Sequence, residues 1–319
     1  MREIQCLETG LEPARDMQRT SFTMKIRAVR VTPVCNPSGA TLIAAVALSL
    51  TSCTSLPHSD QSETPAHLGS HGLGIATDVD TCRDTLGQSE PDTATELDAG
   101  NISLLSWNIQ KGSARQLSNN LVAVAAGRDL LLIQEAIVGP ELADSILDMS
   151  HWAFAPGYRS GNQLSGVMTF SSSPPLTHCN LTNKEPWLQT PKATAVTEYG
   201  LKGTHQTLVV VNIHAINFSL GVEDFQRQMD QVGQVLQTHP GPVILSGDFN
   251  TWRPARQAIV EALAEELDLT AVVFEEDHRT RFFGQTLDHL YVRGLTQSAS
   301  STHQLESSDH NPLAAELHF

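Results

Sequence analysis

The sequence predicts an α/β fold, on three observations. From residue 101 onward, short Val/Ile/Leu-rich runs of strand length alternate with stretches whose apolar residues recur at helical spacing. The composition, 40% hydrophobic and 17% charged, is ordinary for a globular protein. The number of strand-like runs suits two packed sheets flanked by helices, with a single doubly wound sheet as the competing architecture.

Ile102–Ile109 reads as the first strand. Gln116–Ala126 places Leu117, Leu121, Val124 and Ala125 on one helical face. Leu130–Gln134 has the unbroken apolar run of a buried strand. Glu141–Met149 reads as a helix and Gly166–Ser171 as a strand. Ala193–Leu201 and Thr207–Ala215 read as a strand pair around a turn at Gly203. Val222–His239 is a long amphipathic helix, and Val243–Ser246 a strand. Pro254, at a first helical turn where its missing N–H costs nothing, starts Ala255–Leu267. Leu269–Phe274, Thr286–Arg293 and Pro312–Phe319 complete the strands. No internal repeat is visible.

The segment before residue 101 differs in texture. Met24-Lys25-Ile26-Arg27 and Arg30 precede a compact apolar run, Ala40–Leu50, which is too short to span a bilayer but fits a signal-peptide core. The run ends in Leu50-Thr51-Ser52-Cys53, small residues before a Cys, the pattern of a bacterial lipobox. Cys53 is therefore expected to become the lipidated first residue and to anchor the protein without a membrane span. An ordinary secretory signal with an incidental Cys is the alternative. Residues 1–23 precede this pattern, so the start is either Met1 or Met24. Thr54 stands where an Asp would resemble an inner-membrane retention signal, which favours the outer membrane and a periplasm-facing domain.

Residues 54–100 hold nine Asp/Glu against one Arg and are rich in Ser, Thr, Pro and Gly. They are expected to form a solvated tether between the anchor and a domain spanning residues 101–319. Beyond Cys53 only Cys82 and Cys179 remain, and in an oxidising compartment they could form one disulfide or stay as free thiols. The chain carries −15; residues 1–53 hold six Lys/Arg and four Asp/Glu, so the remainder carries −17. That acidity argues against long-range steering toward nucleic acid or anionic lipid, although a local basic patch could oppose it.

Polar residues recur at the ends of the apolar strands: SWNIQ (106–110), IQE (133–135), VNIH (211–214), GDFN (247–250), LDHLYV (287–292) and SDHNP (308–312). Each alone is an ordinary cap, turn residue or solvated charge. Six in order at strand ends are another matter. Carboxylates and amides converging on one sheet edge suit a hard cation such as Mg²⁺ or Mn²⁺, which takes oxygen ligands.

This ordered set resembles the endonuclease/exonuclease/phosphatase superfamily over about residues 101–319. LSGVMTF, VNIHAINFSLGV, GPVILSGDFN and YVRGL resemble its YafD-like bacterial branch. The resemblance implies a four-layer α/β sandwich and a metal-dependent phosphoesterase. Glu135, Asn108 and Asp309 would hold Mg²⁺ or Mn²⁺. Asp248 would orient or deprotonate the attacking water, and Asn250 would position it or the phosphate. His310, held by Asp288, would contact the phosphate. His214 with Asn212 would stabilise or protonate the leaving oxygen. His289 is expected to face away from the site, because neighbours along a strand alternate.

The substrate stays open between nucleic acid or nucleotides and phospholipid or small phosphoesters. A non-catalytic lipoprotein binding a partner through an inert domain is the reading of another class. A monomer is expected. Lys111, Arg115, Arg253, Arg256, Arg279 and Arg281 form either a basic rim or solvated surface charge. Trp252, Phe282 and Phe283 are either stacking surfaces or core.

Overall fold

The central strands carry buried residues on both faces. The computed structural model describes residues 69–70, 72–89, 95–137, 142 and 149–319. The basic segment, the apolar run, Cys53, the beginning of the expected tether and most of the expected helix Glu141–Met149 lie outside the described residues.

The strands are β1 (Ile75–Ala76), β2 (Leu97–Asp98), β3 (Ile102–Asn108), β4 (Leu130–Ile137), β5 (His151–Ser160), β6 (Gln163–Ser171), β7 (Thr177–Lys184) and β8 (Pro191–Lys202). They continue with β9 (Thr207–His214), β10 (Val243–Asp248), β11 (Thr270–Ala271), β12 (Arg281–Phe282), β13 (Gln285–Thr286), β14 (Asp288–Arg293), β15 (Thr296–Thr302) and β16 (Leu313–His318). The described helices are α1 (Val79–Thr85), α2 (Leu117–Ala125), α3 (Glu223–Leu236) and α4 (Pro254–Glu266).

One sheet runs β15-β16-β3-β4-β6-β5, and the other β1-β7-β8-β9-β10-β14-β11 with β2 added on β8. Both are mixed: β3 with β4 and β9 with β10 are parallel, whereas β16 with β3 and β10 with β14 are antiparallel. Three apolar cores define four layers. Phe225, Met229, Val232 and Leu236 of α3 and Val260 and Leu263 of α4 pack on Val209, Val211 and Ile213 of β9. Leu117 and Leu121 of α2 pack on Leu105, Leu131 and Ile133 of the other sheet. Between the sheets lie Ile102, Leu104, Leu130, Leu132, Leu208, Val210, Ile244, Leu290 and Val292. The architecture is the two-sheet sandwich, and the doubly wound alternative is set aside.

The tether expectation requires correction. Ile75–Ala76 pairs in parallel with β7 at His178 and Cys179. Asp78 caps α1 by accepting the Thr81 N–H at 2.9 Å. Cys82 is bonded to Cys179, with Cα atoms 5.7 Å apart. Gly87 N–H donates to the buried Glu198 carboxylate at 2.9 Å. An acidic, Ser/Thr-rich stretch thus enters the fold because a cross-link and a few short-range contacts hold it. Hydrophobic periodicity reports none of these.

Among strands of seven or more residues, three are absent from the expected set, as are the two-residue β1, β2, β12 and β13. β5 is broken by Pro156 and Gly157, and the polar β7 and β15 lack apolar alternation. Conversely, Leu269–Phe274 forms only the two-residue β11.

Candidate active site

The space between the sheets changes character along its length. Inward positions on β3 run Ile102, Leu104, Ser106, Asn108; those on β9 run Leu208, Val210, Asn212, His214; those on β10 run Ile244, Ser246, Asp248. On the antiparallel β14 the order reverses, from Val292 through Leu290 to Asp288. Apolar residues fill one end and hydrogen-bonding residues the other, so period-two alternation gathers the polar strand ends into one cluster. Register aligns them: Asp248 lies opposite His214 on one side and Asp288 on the other.

Asp248 is the hub. Its Oδ1 accepts the Asn250 N–H at 2.9 Å, and its Oδ2 accepts from Asn108 Nδ2 at 3.0 Å. Oδ2 also lies 3.5 Å from His214 Nε2 and 3.8 Å from His310 Nε2. Burial raises the Asp248 pKa, and Asp288 adds to the rise against His310 and Lys192. Its carboxylate is thus a stronger base than an ordinary one. Gly247 makes this position attainable: a Cβ there would lie 2.0 Å from the Ile213 carbonyl oxygen, so only glycine lets β10 pass β9 so closely.

His310 Nδ1 faces both Asp288 oxygens, at 3.0 and 2.8 Å. Burial works against charge on His310, yet Asp288 and Asp248 outweigh it and push the pKa up to about 10. The ring is therefore an imidazolium, with Nδ1–H fixed by Asp288 and Nε2–H directed toward the cluster. Trp107 Nε1 donates to the His310 carbonyl at 2.8 Å, which pins this turn to β3.

Glu135 sits at an irregularity in the β4–β6 pairing between Ile133 and Ala136, with φ of 53°. Gln110, Lys111 and Asn250 also have left-handed φ. Such backbone costs about 1–3 kcal/mol per residue, and four of the seven non-glycine cases in the described chain flank this cluster. Here the strain turns Glu135 out of strict alternation, toward Lys111 (3.4 Å) and His214 (3.9 Å).

Two groups could hold a divalent ion. Ligand atoms of Asp248, Asp288 and His310 lie within 4.8 Å of one another. Within it, His310 Nδ1 and both Asp288 oxygens are engaged with each other, so this group reads as a hydrogen-bonded pair facing Asp248. Glu135 and Asn108 are the other candidates. Asn108 Oδ1 accepts only the Gln110 N–H at 3.1 Å, which leaves one lone pair, and both residues are oxygen donors. The Asp309 carboxylate hydrogen-bonds Ser308 Oγ at 3.4 Å, next to His310.

Other placements differ from expectation. Asn212 is fully buried: its Oδ1 accepts from Gln134 Nε2 at 2.7 Å, and its Nδ2 donates to Met168 O at 3.1 Å and Thr169 Oγ1 at 3.3 Å. It joins the sheets, and both of its amide hydrogens are engaged there. His214, expected to stabilise or protonate a leaving oxygen, has its Nε2 engaged by Lys192. Lys192 Nζ lies 2.9 Å from its Nε2, and an ammonium can only donate, so Nε2 accepts and Nδ1 carries the proton. Burial, then Lys192, holds the His214 pKa well below its ordinary value. His289 faces outward, 2.7 Å from Thr251 Oγ1 and against Phe249.

The basic rim is largely absent. Arg256 is buried and donates to the carbonyls of Ile216, Asn250 and Asn217 and to Ser219 Oγ. Arg279 and Arg281 both bind Asp277. Arg253 lies over Trp252, whose Nε1 donates to Asn217. Phe282 and Phe283 are exposed. Sequence reasoning missed Lys192, and it offered Arg256 only as part of a basic rim or as surface charge. A lysine opening a strand and an arginine on a helix look like surface charge, and nothing local marks them otherwise. Gln134 was legible, as a polar residue closing LLLIQE.

A family model described as Endonuclease/Exonuclease/phosphatase family matches residues 105–310. A UPF0294 protein of Vibrio campbellii is 37% identical over 217 residues, covering 67% of this chain and 76% of that protein. Among solved structures, an endonuclease/exonuclease/phosphatase family protein from Leptotrichia buccalis superimposes with a TM-score of 0.53 at 14% identity, over 68% of this chain and 100% of that one. A humanized D. rerio TDP2 gives 0.51 at 17% identity, over 69% and 99%. These two similarities show a shared fold.

Proposed function

The chain belongs to the endonuclease/exonuclease/phosphatase family and its UPF0294 branch, and from that premise we propose that it hydrolyses a phosphoester by in-line attack of an activated water. The observation that carries this reading is Asp248, a buried carboxylate of raised pKa set among Asn108, Asn250, His214 and His310. Asp248 takes a proton from water, and Asn250, fixed through its N–H to Asp248 and through its Nδ2 to Ala215 O at 3.0 Å, orients that water. His310, held cationic by Asp288, presents Nε2–H to a phosphoryl oxygen and offsets its charge. Lys192 and His214 stabilise the leaving oxygen, with Lys192 supplying the N–H. Glu135 and Asn108, with Asp309 beside His310, would hold Mg²⁺ or Mn²⁺. That ion, when bound, supplies Lewis-acid polarisation of the phosphoryl group.

Neutralised arginines and a charge of −17 beyond residue 53 support a small phosphoester over duplex nucleic acid. A phospholipid headgroup is the second reading. Trp187, Leu188, Phe218 and Leu220 are exposed on two loops joined through Glu185, whose carboxylate accepts the Asn217 and Phe218 N–H groups. Export and lipidation at Cys53, in an envelope facing the periplasm, are supported by the order of basic segment, apolar run and Cys. The Cys82–Cys179 bond supports an oxidising compartment.

The test is a panel of soluble esters, nucleic acids and phospholipid vesicles, with Mg²⁺ or Mn²⁺ against EDTA. Turnover abolished by EDTA and by Glu135→Gln is expected. A folded chain inert on every substrate would instead support the partner-binding reading.

A further inference from the structure

A cleft is lined in part by Glu135, His214 and Lys192, to which the hydrolase reading gives roles, and in part by Lys111, Tyr158 and Thr190, to which it gives none. Lys111, Lys192, Tyr158 and Thr190 contribute to its walls, and Gly157 and Gly166 expose bare backbone. A Cβ at Gly166 would lie 2.1 Å from Ala155 O, so that surface carries no side chain. The cleft volume is ≈ 60 Å³, room for about four to six waters. An oxyanion group fits such a space, whereas a sugar ring or nucleobase would have to stay at its mouth.

Lys192 enters this cleft as an under-compensated cation. Its side chain is 13% exposed, and the Glu185 carboxylate lies 4.0 Å away, beyond hydrogen-bond length. The facing oxygen of Glu185 already accepts the N–H groups of Asn217 and Phe218, at 3.0 and 3.2 Å. One ammonium hydrogen serves His214 Nε2 at 2.9 Å. An ammonium has three hydrogens, and buried cations are ordinarily paired, so Lys192 retains donors directed at whatever fills the cleft. Lys111 supplies a second positive charge from the same lining, 3.4 Å from Glu135 Oε2.

We propose that this cleft is a subsite for a second oxyanion, so that the substrate carries another phosphate-like group close to the scissile phosphoester. The inference rests on the hydrolase reading for its connection to catalysis, but the binding itself can be tested without turnover. Inorganic phosphate is titrated into the full-length chain in EDTA, and the amide resonances of Gly157, Gly166 and Val167 are followed by NMR. Saturable shifts at these amides are expected. Lys192→Met should weaken apparent phosphate affinity about tenfold or more, the range for a lost charge-assisted hydrogen bond. Lys192→Arg should retain most of the affinity. Lys111→Met, at a half-exposed position, should weaken it by a smaller factor, and it serves if Lys192→Met does not fold. Absence of saturable shifts in the wild type, or shifts unchanged in both methionine variants, overturns the subsite.

A kinetic arm separates a free ester from a lipid source. 1,3-Propanediol bisphosphate is compared with propyl phosphate, and vesicles of phosphatidylcholine containing phosphatidylinositol 4-phosphate with those containing phosphatidylinositol. A preference of about tenfold or more for the bisphosphorylated member of either pair supports the subsite and identifies the source. Equal kcat/KM within both pairs overturns it, and if neither pair is turned over the spectra decide. A chain that hydrolyses esters yet shows no phosphate shifts loses only the subsite. A chain that binds phosphate in the cleft yet hydrolyses nothing loses only the hydrolase reading.

Discussion

Replacing Asp248 with Asn separates catalysis from folding, because the structure sets opposing consequences for each. The carboxylate accepts three hydrogen bonds, from Asn250 N on Oδ1 and from Asn108 Nδ2 and Asn250 Nδ2 on Oδ2. An amide has one acceptor and one donor end, so in either orientation at least one N–H meets another N–H. That mismatch costs about 1–3 kcal/mol. Against it, the substitution removes a buried carboxylate whose ionised form is disfavoured first by desolvation and then by Asp288. The two effects offset, and Asp248→Asn should fold with stability within about 2 kcal/mol of wild type. Activity has no such compensation. Loss of a positioned general base lowers kcat by about 10²–10⁴, equivalent to about 3–5 kcal/mol of barrier. The assay is steady-state hydrolysis of the panel ester that wild type turns over fastest, in Mg²⁺ or Mn²⁺, alongside urea denaturation of both proteins. A kcat within about threefold of wild type would refute the base assignment, because that is far less than general-base removal costs.

Three further outcomes follow from other parts of the fold. Reducing Cys82–Cys179, which closes a sequence separation of 97 residues, should lower the unfolding free energy by about 4–5 kcal/mol in the chain-entropy account; urea midpoints that coincide with and without reductant would show that the cross-link constrains nothing. Arg256→Met strands the carbonyls of Ile216, Asn217 and Asn250 and should cost at least about 3 kcal/mol. Thermal unfolding within a degree or two of wild type, about the shift expected for a neutral change, would count against that role. Burial, with Arg279, holds His289 down to about 3 in the folded chain, against about 6.5 when unfolded. Between those values the unfolded chain binds a proton that the folded chain refuses. Stability is therefore fully present above about pH 6.5 and falls as pH drops toward 3, by at most about 1.4 kcal/mol per pH unit. His289→Gln should flatten that slope in denaturation series between about pH 4 and 6, and an equal slope in both proteins would exclude His289 as its source.

Much of the architecture was legible because its signals are local and periodic. LVVVNIH and VILSGDFN announce buried strands by composition and a polar site by their endings. The same alternation that identified the strands also determines which side chains meet, which is why Asn108, Asp248, Asp288 and His214 converge. What escaped notice depends on contacts remote in sequence. Asn212 carries the same strand-end signature as His214, but Gln134, Met168 and Thr169, all from the other sheet, hold its amide. Lys192 acquires meaning only from a histidine on the neighbouring strand, and Arg256 from the carbonyls of Ile216 and Asn217, about 40 residues away, together with that of Asn250 in the loop before its own helix. The segment from Ile75 to Gly87 lacks an apolar period, and its incorporation depends on a cysteine 97 residues away.

The apolar-to-polar gradient between the sheets bears on how such a protein can change over evolutionary time. Its reactive side chains are also interior residues, carried by the strands that make the molecule cohere. On the hydrolase reading, a substitution at those positions would cost turnover and folding together. The loops bearing Trp187, Phe218 and Phe283 have no comparable obligation, since these residues are largely exposed. Lineages built on this scaffold can therefore exchange one ester for another by rewriting a few surface turns while the reacting centre stays the same.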